Sequence, residues 1–356
     1  MKWRSVLWLG LDRFLTTPAR RWAMRIVFWA LFLFLVFPYF LSRVITEPPD
    51  VAWSSATPED FHLPHEPFSV ASFDGLNISC WWIPSRTQNS LASPSRGGGT
   101  GGELRTQNKS SIRNQKLEIR NSIRKPVVLF VHGLGDSKAG VLVNAQFLHE
   151  RGYSCCLIDL RNHGESDRRL VTLGAHEARD IEAVLEWLRR NKGAKAFVLW
   201  GVSLGATSSL IAAVGEPDVD GLVLEACYES MRKTVDRHRR LYFGWIPRQP
   251  FIPLTLSWFR WRTGVSPDEI DLVRAASGLK RGKMFLICGE KDVRAPAGAS
   301  REILNASAIP CELWVMPGID HDSLGGHPEY EARIAKFLDE VAQSQMLEKK
   351  PSEKKK

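Results

Sequence analysis

The chain's 356 residues allow one large domain with attachments or two small ones, and 44% hydrophobic against 24% charged residues makes most of it globular. The formal net charge of +9 is unevenly spread: residues 1–43, 86–125 and the last nine together carry about +16, leaving about −7 on the remainder. A mildly acidic body excludes the basic stripe that a nucleic-acid-binding face needs, so no nucleic acid is expected as a partner.

Residues 26–42 (IVFWALFLFLVFPYFLS) are seventeen residues without a charge. As a helix they rise about 25 Å, near the lower limit for crossing a bilayer. Trp22 extends the segment and Arg25 can snorkel. Lys2, Arg4, Arg13, Arg20, Arg21 and Arg25 precede it, whereas Arg43, Glu47 and Asp50 follow. The positive-inside rule then keeps the N-terminus cytoplasmic and exports the rest. The expectation is a basic cytoplasmic segment (1–25), a single-pass transmembrane anchor (26–42) and a Pro-rich, acidic stalk (43–67), with the membrane as a partner. The alternatives are a cleaved signal peptide and a buried or interfacial helix; no A-x-A site follows the apolar run, and its basic lead is long for a signal.

"FSVASFDGLNISCWWIP" reads as two strands joined at Asp74-Gly75, a strong hairpin signal. Residues 85–125 contain "RGGGTGG" and a loose Ile-Arg-Asn repeat, too polar to bury a core; they read as a flexible basic insertion. From residue 126 the rhythm is regular. "PVVLFVHG" is a buried strand, a helical pattern follows through Leu148, and "SCCLIDLR" is the next strand. Residues 176–191 space Ala178, Ile181, Val184, Leu185 and Leu188 as an amphipathic helix. "KAFVLWGVS" is a strand running into the helix "LGATSSLIAAVG"; "VDGLVLEA", "KMFLICGEKD" and "CELWVMPG" are strands, and the last helix covers about 328–345. Strands alternating with helices predict an α/β fold, a mostly parallel sheet covered on both faces, with ligands beyond the carboxyl ends of the strands. The six cysteines form no CxxC pair and lie mostly in apolar runs; they read as small buried hydrophobes, not a disulfide framework.

Gly201-Val202-Ser203-Leu204-Gly205 fits G-x-S-x-G between a predicted strand and a predicted helix, the context that motif needs. The sharp turn lifts the serine hydroxyl clear of the sheet, and glycine at 201 and 205 removes collisions with the neighbouring strand and helix. Ser203 is the candidate nucleophile. It needs a base to take its proton and an acid to orient that base. His321, in "PGIDHDSL" between the last strand and the last helix, is the candidate base, with His327 as its rival. Asp292, in "CGEKDVRAP" just after a strand, is the candidate acid, with Glu225 and Glu290 as rivals. Oxyanion donors are expected from the backbone N–H groups of Leu204, at the helix start, and Leu134, in "HGLGD". His132 shapes that turn. The chemistry implied uses no metal and no organic cofactor, and activity is expected to fall on acidification as the histidine protonates.

Taken in order, "HGLG", "DLRNHGES" (159–166), "GVSLGA", "GEKDVRAP" and "GIDH" resemble the α/β-hydrolase family over roughly 70–85 and 126–345. "DLRNHGES" is similar to the family's D-x-R-G-H-G-x-S segment with Asn162 in place of glycine; Asp159, Arg161 and His163 are expected to brace the loop near the site. Within the family the chain looks most similar to the serine aminopeptidase and monoacylglycerol-lipase-like group and its membrane-anchored members. The resemblance implies an α/β-hydrolase domain over 68–345 and hydrolysis of an acyl ester, thioester or amide, with a small-molecule or lipid-like acyl substrate as partner.

Residues 228–282 fall where this family inserts its cap. They carry Tyr242, Phe243, Trp245, Phe251, Trp258, Phe259 and Trp261, which form either the cap's own small core or a greasy wall for an acyl chain or a membrane surface. A carboxylic-ester hydrolase is the leading expectation. An aminopeptidase or acyltransferase would use the same triad; the former needs an acidic pocket for a free amine, for which Glu225 and Glu229 are the candidate acids, though the sequence does not show where they point. A non-catalytic scaffold is disfavoured by the intact motifs, and the tail at 346–356 is simply lysine-rich.

Overall fold

The computed structural model describes residues 18–48, 55–86 and 125–348. The first seventeen residues, most of the basic insertion and most of the lysine-rich tail lie outside them. Helix α1 (Pro18–Leu31), a π-helical turn (Phe32–Val36) and α2 (Phe37–Thr46) run on as one apolar rod. The body then follows as β1 (Glu66–Ala71), β2 (Asn77–Ile83), β3 (Val127–Val131), α3 (Leu142–Glu150), β4 (Cys155–Ile158), α4 (Ala175–Lys192), β5 (Phe197–Val202), α5 (Leu204–Ala213) and β6 (Val219–Glu225). Helices α6 (Met231–Phe243), α7 (Arg248–Thr263) and α8 (Leu272–Gly278) come next, before β7 (Lys283–Gly289), α9 (Ala297–Ala306), β8 (Cys311–Met316) and α10 (Tyr330–Glu348).

The strands pair in the order β1-β2-β4-β3-β5-β6-β7-β8. The β1–β2 hairpin and the β2–β4 pair are antiparallel, and every later pair is parallel. Residues of β3 alternate between two apolar layers: Leu129 and Val131 face α4, α5, α8 and α9, whereas Val128 and Phe130 face α3 and α10. A parallel strand covered on both faces must be apolar at every position, which is why VVLFV shows no polar alternation. All six cysteines are free thiols, five of them buried.

Two boundaries differ from the sequence expectation. Residues 55–65 are not a free stalk. Pro58–Phe61 form a 3-10 turn whose start is tied by Thr57 N–H donating to Asp60 Oδ2 at 2.8 Å, and Leu63 is buried in the α3/α10 layer. The cap is also smaller than 228–282. Its apolar cluster ends at Ile270 and is closed at its base by a Ser230–Asp271 bridge, whereas Leu272 and Ala276 of α8 belong to the main core. The cap aromatics divide. Phe251 and Phe259 fill the cap's interior, while Tyr242, Trp245 and Trp261 are exposed.

Among the described residues one helix, Arg20–Thr46, is long and apolar enough at 27 residues to cross a membrane. It starts earlier and ends later than 26–42. Its last turns are packed on protein, because Ser42 and Thr46 are buried beneath Arg262 of α7.

Candidate active site

β5 ends where Ser203 takes φ +51° and ψ −107°, a left-handed backbone that costs a non-glycine residue about 1–3 kcal/mol. The turn is held by the Ser203 N–H donating to Glu225 O at 2.8 Å across to β6. The flanking glycines are required by contact. A Cβ on Gly201 would lie 2.4 Å from the Gly205 carbonyl oxygen, and one on Gly205 would lie 2.0 Å from the Val131 carbonyl oxygen. The turn that carries Ser203 is therefore wedged against the end of β3.

The other two candidates meet as expected. Asp292, on the turn after β7, is buried, and its Oδ2 accepts a 2.6 Å hydrogen bond from His321 Nδ1. Its Oδ1 accepts the backbone N–H groups of Arg294 and Ala295, each at 2.8 Å. Burial alone would raise the carboxyl's pKa. The His321 hydrogen bond and the two backbone donors outweigh it and hold the group below the usual carboxylate range. With Nδ1 donating to Asp292, Nε2 is left to accept a proton. Ser203 and His321 line the same cavity without a hydrogen bond between them; contacts of this kind shorten when substrate is held.

The rivals lie elsewhere. His327 stacks edge-on against Trp314 and accepts the Glu329 N–H. Glu290 receives the Gly318 N–H at 2.9 Å, bracing the loop that leads to His321. Glu225 does line the cavity, but its Oε1 accepts Trp200 Nε1–H and Tyr330 O–H, each at 2.5 Å, and burial pushes its pKa up to about 7.

Leu204 is the first residue of α5, so its N–H has no partner within the helix. In the turn after β3, the Gly135 N–H donates to His163 Nε2 at 2.9 Å and the Asp136 N–H to Gly133 O at 3.2 Å. The Leu134 N–H remains available, and both leucines line the cavity. The loop behind them is built from the "DLRNHGES" segment. His132 Nε2 accepts the Leu160 N–H at 2.9 Å while its Nδ1 donates to Gly133 O. Burial and the neighbouring His163 push its pKa down to about 3, so it stays neutral. Asp159 Oδ1 accepts the Lys138 N–H at 2.7 Å, and Arg161 forks onto Asp180 at 2.7 and 2.6 Å. Asn162 sits at φ +64°, a conformation asparagine tolerates nearly as glycine does, which accounts for the departure from the family pattern.

The cavity above Ser203 has a volume of about 1360 Å³. Its walls include Met231, Val235, His238 and Phe243 of the cap, and also Leu41, Val44 and Ile45 of α2. Sequence reasoning missed the last three, and missed His238 as a cavity residue. The available signal was Ser42, Thr46 and Glu47 at the end of an apolar run, polar groups that ask for a partner on one helical face. Among the described residues no group of three or more His, Cys, Asp or Glu is arranged to hold a metal ion.

Sheet order, nucleophile turn and the placement of acid and histidine after successive strands define the α/β-hydrolase fold. A family model described as alpha/beta hydrolase fold matches residues 126–259. The chain is 28% identical over 222 residues to an uncharacterised protein of Mycobacterium tuberculosis, covering 61% of this chain and 71% of that one. It is 26% identical to the 2-(acetamidomethylene)succinate hydrolase of Mesorhizobium japonicum over 63% of this chain and 91% of that enzyme. Among solved structures, an esterase of Pyrococcus furiosus superposes with a TM-score of 0.60 at 20% identity, covering 83% of this chain and 97% of that one.

Proposed function

We propose that the chain is a membrane-anchored serine hydrolase that cleaves carboxylic ester or thioester bonds through an acyl-enzyme on Ser203. The observation that carries this reading is the His321–Asp292 hydrogen bond in the wall of the cavity that Ser203 enters from its strained turn. In this mechanism Ser203 Oγ attacks the acyl carbon as its proton passes to His321 Nε2. Asp292 keeps the histidine in the tautomer that can accept it. The developing oxyanion is met by the N–H groups of Leu204 and Leu134, each typically worth about 3–4 kcal/mol in the transition state. His321 returns the proton to the leaving group, and water then releases the acyl chain by the same steps in reverse.

An ester or thioester is favoured over an N-terminal amine. The amine reading needs Glu225 and Glu229 as anions in the pocket. Glu225 is pushed up to about 7, and Glu229, paired with Arg237, is not among the cavity's lining residues. Anchoring by Arg20–Thr46, with the basic N-terminus cytoplasmic and the catalytic domain exported, belongs to the same proposal and is supported by the helix's length and its flanking charge.

The test is to treat the full chain in detergent with a fluorophosphonate, beside Ser203→Ala. Labelling of the parent alone is expected, followed by turnover of esters in a panel of ester, thioester and aminoacyl-amide substrates. A folded parent that resists labelling would overturn the reading, and turnover confined to the amides would overturn its substrate class.

A further inference from the structure

The last turns of the N-terminal helix do not trail from the body. The Arg262 side chain, buried in the joint, donates from Nη1 to Thr46 Oγ1 at 2.5 Å and to Ser42 Oγ at 3.4 Å, and pairs through Nη2 with Glu47. The Val171 N–H donates to Thr46 O at 2.9 Å, so the main hydrolase body holds the helix as well as the cap. Phe37 packs on Phe243 and Phe251 with ring centroids 5.1 and 5.8 Å apart, and Tyr39 meets Trp258 at 5.2 Å. One turn of α2 thereby turns Leu41, Val44 and Ile45 into the cavity that Ser203 and His321 line. Val44 is also 50% exposed, so the helix borders the mouth of that cavity.

We propose that α2 is a substrate-binding element: the substrate is an ester of a long acyl chain whose tail lies against Leu41, Val44 and Ile45. The inference rests on the serine-hydrolase reading of Ser203 and goes beyond it by naming the tail and its wall. Three facts converge. The wall that α2 contributes is wholly aliphatic, offering burial and no polar readout. The cap helix α6 adds Met231, Val235 and Phe243 to the lining, apolar like α2, beside Thr234, His238 and Arg239. The volume of about 1360 Å³ exceeds the roughly 300–1,000 Å³ of pockets that hold drug-sized ligands, and an acetyl group would leave it almost empty. A pocket of this kind discriminates by methylene count, because each buried methylene adds to binding. It follows that the N-terminal segment is part of the working enzyme, and its removal would open the site on one side.

The full chain in phosphatidylcholine nanodiscs is the material for the test. Two fluorophosphonates are compared, one with a butyl chain and one with a dodecyl chain bearing a diazirine at its terminal carbon. After Ser203 is labelled and the sample irradiated, the second adduct is expected on the peptide containing Leu41, Val44 and Ile45. Dodecyl labelling is expected to exceed butyl labelling by at least about tenfold, the gain of roughly two buried methylenes. Val44→Trp and Ile45→Trp are expected to lower the dodecyl-to-butyl labelling ratio to about twofold or less. Photo-adducts confined to α6 and the strand ends, in the unmutated chain, would overturn the inference even if both tryptophan variants fail to fold. So would a chain-length preference that both variants leave intact. Absence of labelling at Ser203 by either probe would instead overturn the serine-hydrolase reading, and this inference with it.

Discussion

Asp292→Asn is the most informative single change, because the surroundings dictate how the new amide must lie. Asp292 Oδ1 receives two backbone donors, from Arg294 and Ala295, at 2.8 Å each. An amide nitrogen placed there would face two N–H groups and forfeit both bonds, about 1–3 kcal/mol apiece. The amide oxygen of the variant is therefore fixed at that position, and its NH₂ points at His321 Nδ1. That ring nitrogen must then accept instead of donate, so the imidazole proton moves to Nε2, and Nε2 can no longer take the Ser203 proton. Loss of the correct tautomer in such a triad lowers the rate about 10⁴-fold, equivalent to about 5.5 kcal/mol of barrier at 1.36 kcal/mol per decade. Initial rates on an activated short acyl ester and the rate of fluorophosphonate labelling should fall together. The fold should survive, because both backbone bonds are kept; Asp292→Ala strands two buried donors and should be markedly less stable. The parent carboxyl is held below its unfolded pKa, so its contribution to stability is complete above that value and lost as the pH falls through the folded one. The Asp292→Asn variant lacks this acid-side loss. A kcat/KM within tenfold of the parent would refute the assignment of Asp292 as the orienting acid.

Gly205→Ala places a Cβ 2.0 Å from the Val131 carbonyl oxygen, a backbone atom that cannot swing away; a cost of about 3 kcal/mol or more is expected, and an unchanged midpoint of chemical denaturation would contradict the wedged turn. Glu225→Gln tests the raised carboxyl facing the cavity. The rise from the ordinary 4.5 to about 7 is worth about 3 kcal/mol. The parent should lose that stability as pH rises from about 4.5 to 7, where the unfolded chain ionises Glu225 and the folded chain does not, and lose no more from this group above 7. The Glu225→Gln variant should skip the loss, so melting curves at about pH 8 should favour it, and curves that keep the same separation at about pH 4 and pH 8 would rule the account out. Arg262→Met removes the charged donor over Ser42 and Thr46. Glu47 is partly exposed and adds little, so about 3 kcal/mol of helix docking is expected to go. Faster hydrogen exchange over 37–47 is the readout, and unchanged protection would show that apolar packing alone holds the helix.

Legibility in the sequence follows how local each determinant is. The strained turn at Ser203 was readable because its cause is contained in a few consecutive residues: an apolar strand, two glycines that a Cβ would jam and a helix start. His321 and Asp292 were readable because a parallel sheet delivers the ends of β7 and β8 to the same edge as β5, so position after a strand is nearly position in space. Asn162 looked like a deviation only until its positive φ was seen. What could not be read were pairings between distant segments. The apolar run at 26–42 passes any hydropathy test equally well whether it ends at the membrane surface or continues onto the cap. Ser42 and Thr46 decide between these, but only once Arg262, more than two hundred residues later, is placed above them. The cap boundary failed for the same reason: Leu272 and Ala276 are helical and apolar in either layer, and only the Ser230–Asp271 bridge closes the cap before them. Glu225 and Glu229 likewise read alike as acids near a strand end, yet the fold ties one to Trp200 and Tyr330 and turns the other to Arg237. A substrate reading built from composition alone would have weighed the two acids equally with the aliphatic helix. Geometry removes one acid from the cavity wall, makes the other a poor anion and brings the helix in, and that exchange weakens the aminopeptidase alternative and favours the acyl-ester reading that already led.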